Sequence, residues 1–223
     1  MRLLIYGMQS SGATAFSLFL AQRPGCLALV DVLNNYAAPH VETEHDILAK
    51  VVLTTAYPLA VHLERFQPDR TILFLRDPRD NFGSLRRKHY RNHSGLIDEK
   101  FALLDRVFAA RECFDAVIEY EDFVIRAPQV SAAVTNLGWP VEQSYYTFRR
   151  THKELAEALW SAVPGLFDHF EFSFGNVQSG QVSARFVDRE PPEGLEARLE
   201  ALCPQVLDHY RRRDARRRPS GDG

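Results

Sequence analysis

The run Arg76-Asp77-Pro78-Arg79-Asp80-Asn81-Phe82-Gly83-Ser84 follows directly on the apolar stretch Thr71-Ile72-Leu73-Phe74-Leu75. A buried strand that ends in arginine, turns through Asp-Pro and presents a serine on the next helix makes a grip for an anion. The guanidinium offers a planar fork of donors, and the hydroxyl and first-turn backbone N–H groups complete the cradle. A second grip lies near the start of the chain. There Leu3-Leu4-Ile5-Tyr6 runs into Gly7-Met8-Gln9-Ser10-Ser11-Gly12-Ala13-Thr14, followed by the helical pattern Phe16, Leu18, Phe19, Leu20. Two such sites in one α/β chain point to a ligand with phosphate at both ends of a nucleoside. Each segment also has a plainer reading. Arg76 would be costly at a buried strand end unless paired, and Asp77 and Asp80 are near enough to pair with it. The first segment would also serve as an ordinary glycine-containing strand-to-helix turn.

Gly7 to Thr14 has the skeleton G-x-x-x-x-G-x-T, a phosphate loop without its lysine, because Ala13 stands at that position. That lysine neutralises the β- and γ-phosphates of a nucleoside triphosphate, so its absence counts against an enzyme that hydrolyses ATP or GTP. The loop amides, the helix N-terminus, Ser11 and Thr14 are still able to hold one phosphate.

Taken together, these segments resemble the sulfotransferases that use 3′-phosphoadenosine-5′-phosphosulfate (PAPS). In that family a strand-loop-helix near the N-terminus holds the 5′-phosphosulfate, and a later strand ending in Arg, with Ser eight positions on, holds the 3′-phosphate. Arg76 and Ser84 have that spacing, and Val117-Ile118-Glu119-Tyr120-Glu121-Asp122 resembles the strand and Tyr-Glu-Asp segment that follows. The resemblance covers roughly residues 1–125 and extends only loosely beyond. It implies that Ser10, Ser11, Gly12, Ala13 and Thr14 hold the 5′ end of the co-substrate, and that Arg76 and Ser84 hold its 3′-phosphate. Ser179 to Phe186 loosely resembles a late glycine-containing loop of the family, which makes Arg185 the candidate for closing on the 3′-phosphate.

The chain departs from the family in two places. The loop's usual Lys or Arg falls at Ser10, so another basic group must replace it. The run Arg86-Arg87-Lys88-His89-Tyr90-Arg91-Asn92-His93 is one source; it would equally serve as a solvated helix end. A Lys-Thr-His tripeptide, with the histidine as base, ends the third strand in the cytosolic enzymes, and here that position reads Thr54-Thr55-Ala56. Other branches take the base from the loop after the second strand. That loop contains Asp31, His40, Glu42, Glu44 and His45, and His40 is the preferred candidate because a histidine deprotonates a hydroxyl or amine well at neutral pH.

The expected reaction is sulfuryl transfer to a hydroxyl or amine of a small-molecule or sugar acceptor, with no metal. The alternatives are a P-loop-type phosphotransferase, which would need Mg²⁺ and the lysine the loop lacks, and a non-catalytic nucleotide-binding relative.

The elements that must position these residues follow from the apolar runs at 2–6, 26–30, 50–54, 71–75 and 115–120, each a short buried strand. Helical patterns alternate with them: 13–22, 98–112, 128–137, 149–162 and a terminal helix over 193–213. The expectation is an α/β fold of three layers, with a mainly parallel five-stranded sheet between flanking helices in a P-loop-like sulfotransferase architecture. One domain over 1–213 suits a chain of 223 residues, with 214–223 as a disordered basic tail. A net charge of −2 gives no general attraction to nucleic acid or anionic membrane. Three scattered cysteines (Cys26, Cys113, Cys203), read as packing residues, and no leader-like or membrane-spanning apolar run make the protein cytoplasmic in expectation.

Overall fold

The computed structural model describes residues 1–33, 35–53, 57–87, 96–168, 180–184 and 192–217. Five strands form one sheet in the order β2-β3-β1-β4-β5: β1 Arg2–Gly7, β2 Leu27–Leu29, β3 Ile47–Val52, β4 Arg70–Leu75 and β5 Ala116–Glu119. All four pairings are parallel. Helices cover both faces, as a parallel sheet requires, and this is why the central strands read as unbroken apolar runs rather than alternating ones. Within β1, Leu3 and Ile5 face one core while Leu4 and Tyr6 face the other.

The first core lies under α1 (Ala13–Ala21), α5 (Tyr120–Val124) and α6 (Pro128–Asn136). Phe16 stacks on Phe74 with ring centroids 4.8 Å apart and meets Phe123 edge-on at 5.2 Å, which pins α1 to the sheet. The second core is built by α2 (Leu59–Phe66), α3 (Pro78–Arg86), α4 (Ile97–Ala109), α8 (Leu195–Leu202) and α9 (Pro204–Arg217). Between them α7 (His152–Ala162) packs on the edge strand β2, placing Leu155 in one core and Leu159 in the other.

Several boundaries differ from those read in the sequence. β3 starts at Ile47, so Lys50 lies inside the strand and does not begin it; Thr54, Thr55 and Ala56 fall outside the described residues. α7 starts at His152 because Thr151 and Glu154 form a capping box there. The terminal helix is two, broken where Pro204 cannot continue α8. α9 then runs on to Arg217, past the expected end of order at Arg213, and Asp214 forms an ion pair with Arg79. Cys26 and Cys203 are buried, but Cys113 is exposed and is no packing residue. Of the segment Ser179 to Phe186, only 180–184 is described; there Val182 is buried and its N–H donates to the Tyr146 carbonyl at 2.9 Å. No helix among the described residues is long and apolar enough to cross a membrane.

The long connection from β2 to β3 is held by a buried histidine. His62 Nδ1 accepts the Ala38 N–H at 3.1 Å, a role open only to the neutral ring, and burial pushes its pKa down to about 4. The unfolded chain therefore takes up this proton near pH 6.5 while the folded one resists until about 4. Stability is full above 6.5 and lost as pH falls through that window, by at most roughly 3 kcal/mol. Urea denaturation at pH 7 and pH 4.5 should show the difference, and His62→Asn should lose much of this dependence.

Candidate functional site

Both sequence-read grips sit at the carboxyl end of the sheet. β1 ends at Gly7, and the chain turns tightly so that the Ser11 N–H donates to the Met8 carbonyl at 3.2 Å before α1 begins. Two positions in this turn take left-handed backbone, Ser10 at φ 62° and Gly12 at φ 97°. Gly12 caps α1 with no side-chain hydrogen bond, and the helix has no acidic residue in its first turn, so its positive end faces the loop uncompensated. The Ser10 hydroxyl is buried with no hydrogen-bond partner among the described residues. Ser11 is fully buried beneath the turn, its Oγ accepting the Ala13 N–H at 3.4 Å. An orphaned hydroxyl, open helix amides and a glycine-lined turn suit a bound phosphate.

Arg76 follows β4, the strand beside β1, and meets the loop directly: Nη1 donates to the Ser10 carbonyl at 3.1 Å. The guanidinium lies 4.4 Å above the Tyr120 ring and Nη2 stands 3.8 Å from Asp80. The pairing with Asp80 weighed in the sequence is therefore present, together with a contact to the loop. A guanidinium carries five donors, which allows one side chain to hold the loop and still meet a ligand. Ser84 is half-buried on α3, one helical turn beyond Asp80 on the same face.

The turn after Arg76 is fixed from three sides. Asp77 caps α3, accepting the Arg79 N–H at 2.9 Å, and the Asp77 N–H donates to Glu121 Oε1 at 2.9 Å. Tyr210 of α9 donates its hydroxyl to the other Glu121 oxygen at 3.2 Å. Burial pushes the Glu121 pKa up, opposed by the Asp77 N–H. Arg213 of α9 forms ion pairs with Glu119 and Asp122. The Glu119–Asp122 segment thus braces this turn and supports both grips: Tyr120 lies between Gly12 and Arg76.

Sequence reasoning missed two supports on the other side of the loop. Asn81 Nδ2 donates to the Gln9 carbonyl at 2.7 Å, and Lys100 Nζ donates to Gln9 Oε1 at 2.8 Å. Lys100 is completely buried in the first turn of α4, whose apolar periodicity marks a helix but gives no sign that a lysine points inward. Lys100 thus reaches the loop from behind, through the Gln9 side chain. Of the basic run 86–93, only Arg86 and Arg87 are described. Arg185 also lies outside the described residues.

His40 is not brought to this site. It is exposed, with Nε2 3.5 Å from Nη2 of Arg2, the first residue of β1. The cause is topological. β2 and β3 are parallel, so the connection between them must return from the carboxyl to the amino end of the sheet, and its late residues end up there. Glu42, Glu44 and His45 are likewise exposed, and Asp46, next after His45, pairs with the N-terminal amine at 2.7 Å. Asp31, two residues past the end of β2, stays at the carboxyl end. It accepts from Thr14 Oγ1 at 3.3 Å and Lys50 Nζ at 2.5 Å, and His152 Nε2 lies 3.9 Å away.

No family model matches this chain, and no curated protein matches it in sequence. Among solved structures it is similar to mouse sulfotransferase SULT7A1 complexed with PAP, at a TM-score of 0.48 and 16% identity over 95% of this chain and 88% of that one. It is also similar to a sulfotransferase from Alicyclobacillus acidocaldarius, at a TM-score of 0.42 and 15% identity over 94% of this chain and 98% of that one.

Proposed function

We propose that this protein is a sulfotransferase that takes a sulfuryl group from PAPS and passes it to a hydroxyl or amine of a small-molecule or sugar acceptor. The observation that carries this reading is the direct contact between the two grips, Arg76 Nη1 on the Ser10 carbonyl, at the carboxyl edge of a parallel sheet. That edge is where such sheets bind ligands. One nucleotide with phosphate at its 5′ and 3′ positions would engage both grips together. The loop, with Ser11, Gly12, Ala13 and Thr14, would hold the 5′ end, and Ser10 would offer its unpartnered hydroxyl. Arg76 and Ser84 would hold the 3′-phosphate, and Arg185 remains the candidate to close over it. Lys100, held against Gln9, would supply positive charge behind the loop. The acceptor's oxygen or nitrogen would attack sulfur in line, expelling adenosine 3′,5′-bisphosphate. A reducing, cytoplasmic setting belongs to the same reading and rests on the three scattered cysteines of the sequence.

Calorimetric titration with adenosine 3′,5′-bisphosphate tests the proposal. Binding at micromolar concentration is expected, and Thr14→Ala should weaken this ligand and adenosine 5′-phosphate alike, by roughly 1–2 kcal/mol, because both carry the 5′-phosphate. Absence of binding at high micromolar concentration ends the reading, and preference for ATP with Mg²⁺ redirects it to phosphotransfer.

A further inference from the structure

Beside the phosphate loop, four separate elements bring ionisable and hydroxyl side chains into one buried cluster: Thr14 from α1, Asp31 from the turn after β2, Lys50 from β3 and His152 from the start of α7. Asp31 Oδ1 receives both Thr14 Oγ1 and Lys50 Nζ, so the carboxylate is tied to the loop and to a cation. Its Oδ2 faces His152 Nε2 at 3.9 Å, too far for a hydrogen bond. His152 is only 7% exposed, yet Nε2 has no hydrogen-bond partner among the described residues. A buried ring nitrogen left in this way is costly and calls for an explanation.

The ring is also held there deliberately by its surroundings. Gln22, at the end of α1, accepts the N–H groups of Arg149 and Arg150 with Oε1 and donates to the Arg150 carbonyl with Nε2. The Arg150 guanidinium binds the carbonyls of Ala21, Arg23 and Cys26. These contacts fix the residues immediately before α7, and the capping box fixes its first turn.

The geometry points to His152 Nε2 as the proton acceptor of the transfer reaction, with Asp31 steadying the imidazolium that forms. This assignment rests on the sulfuryl-transfer reading. In the step, the acceptor oxygen forms a bond to sulfur while the bond from sulfur to the bridging oxygen of the 5′-phosphate breaks, and that oxygen leaves with the electron pair as adenosine 3′,5′-bisphosphate. The acceptor's proton passes to Nε2, and the resulting cation faces the Asp31 carboxylate. His152 would thus take the part left open by Ala56 and by the distance of His40.

Burial lowers the His152 pKa, Asp31 opposes this and Lys50 adds to it, so the ring is neutral and able to accept a proton at neutral pH. Among the described residues, Asp31 and Lys50 are the charged groups whose fields act on it. Lys153, Glu154 and Glu157 of α7 and Asp168 in the turn packed on that helix are exposed, and β2 carries no charge.

The test uses the full chain with PAPS in water, water serving as acceptor, and follows release of adenosine 3′,5′-bisphosphate. Wild-type kcat should fall on the acid side with a midpoint below the ordinary histidine value, and the ring's own NMR titration should share that midpoint. His152→Gln should slow release by about 10²–10⁴-fold and remove the acid limb, while bisphosphate affinity by calorimetry stays within about twofold. Unchanged release, a retained acid limb, or a ring that titrates elsewhere overturns the assignment. So does a wild-type chain that binds the bisphosphate but releases none from PAPS. Should His152→Gln fail to fold, the coincidence of NMR and kinetic midpoints in the wild type decides alone. No bisphosphate binding by the wild type overturns the functional reading itself, and the base assignment with it.

Discussion

Arg76→Ala is expected to weaken binding of adenosine 3′,5′-bisphosphate by about 2–4 kcal/mol, roughly 30- to 1000-fold in Kd. The guanidinium is nearly buried and rests on the Tyr120 ring, so the contact it makes with a phosphate is charge-assisted and poorly screened. Adenosine 5′-phosphate has no 3′-phosphate and should lose much less. Its residual loss measures the other role of Arg76, the hydrogen bond that Nη1 gives the Ser10 carbonyl. Parallel calorimetric titrations therefore separate direct binding from support of the loop. Equal weakening of both nucleotides would mean that Arg76 acts only through the loop and that the 3′-phosphate lies elsewhere. Arg76→Lys should recover only part of the loss, since a point charge replaces the planar fork.

The sheet was legible because its strands are buried on both faces. Continuous apolar runs such as Leu3 to Tyr6 and Thr71 to Leu75 have few other uses in a chain with helical periodicity between them. Glycine and proline placed the loop after β1 and the start of α3. β3 was harder to place. Its true start, Ile47-Leu48-Ala49, precedes a lysine, and a lysine ordinarily marks a strand's edge; pairing with the Asp31 carboxylate makes Lys50 tolerable inside it.

The candidate site was legible only where local sequence encodes it. Gly7 to Thr14 and Arg76 to Ser84 are contiguous motifs, and each carries its own turn. Lys100 reaches the loop at Gln9, and Lys50 and His152 meet Asp31 beside it, through tertiary packing that no spacing within the chain announces. His40 failed for a reason open to argument without coordinates. A connection between parallel neighbours must cross the full height of the sheet, so residues near its end cannot remain beside a loop at the carboxyl edge. By the same argument Asp31 was the member of that group to keep.

Gly12→Ala should cost about 2–5 kcal/mol of stability, a large effect for one methyl group. Two independent terms add. The backbone at φ 97° is a conformation that L side chains rarely adopt, at a cost of roughly 1–2 kcal/mol. A Cβ there would also lie 2.5 Å from Cδ2 and 2.7 Å from Cε2 of Tyr120, a buried ring with little room to retreat, which adds about 1–3 kcal/mol of overpacking. The binding consequence should be larger than a loop substitution alone would give. Tyr120 carries the Arg76 guanidinium on its face, so a displaced ring disturbs both grips at once. Urea denaturation is expected to show the lower midpoint, and calorimetry on the folded fraction to show both adenosine 3′,5′-bisphosphate and adenosine 5′-phosphate weakened, the bisphosphate more. Tyr120→Ala in the same chain relieves the clash but not the backbone strain, so Gly12→Ala should cost about 1–2 kcal/mol when added to Tyr120→Ala. If Gly12→Ala costs as much without the ring as with it, the contact between Gly12 and Tyr120 does not couple the loop to Arg76.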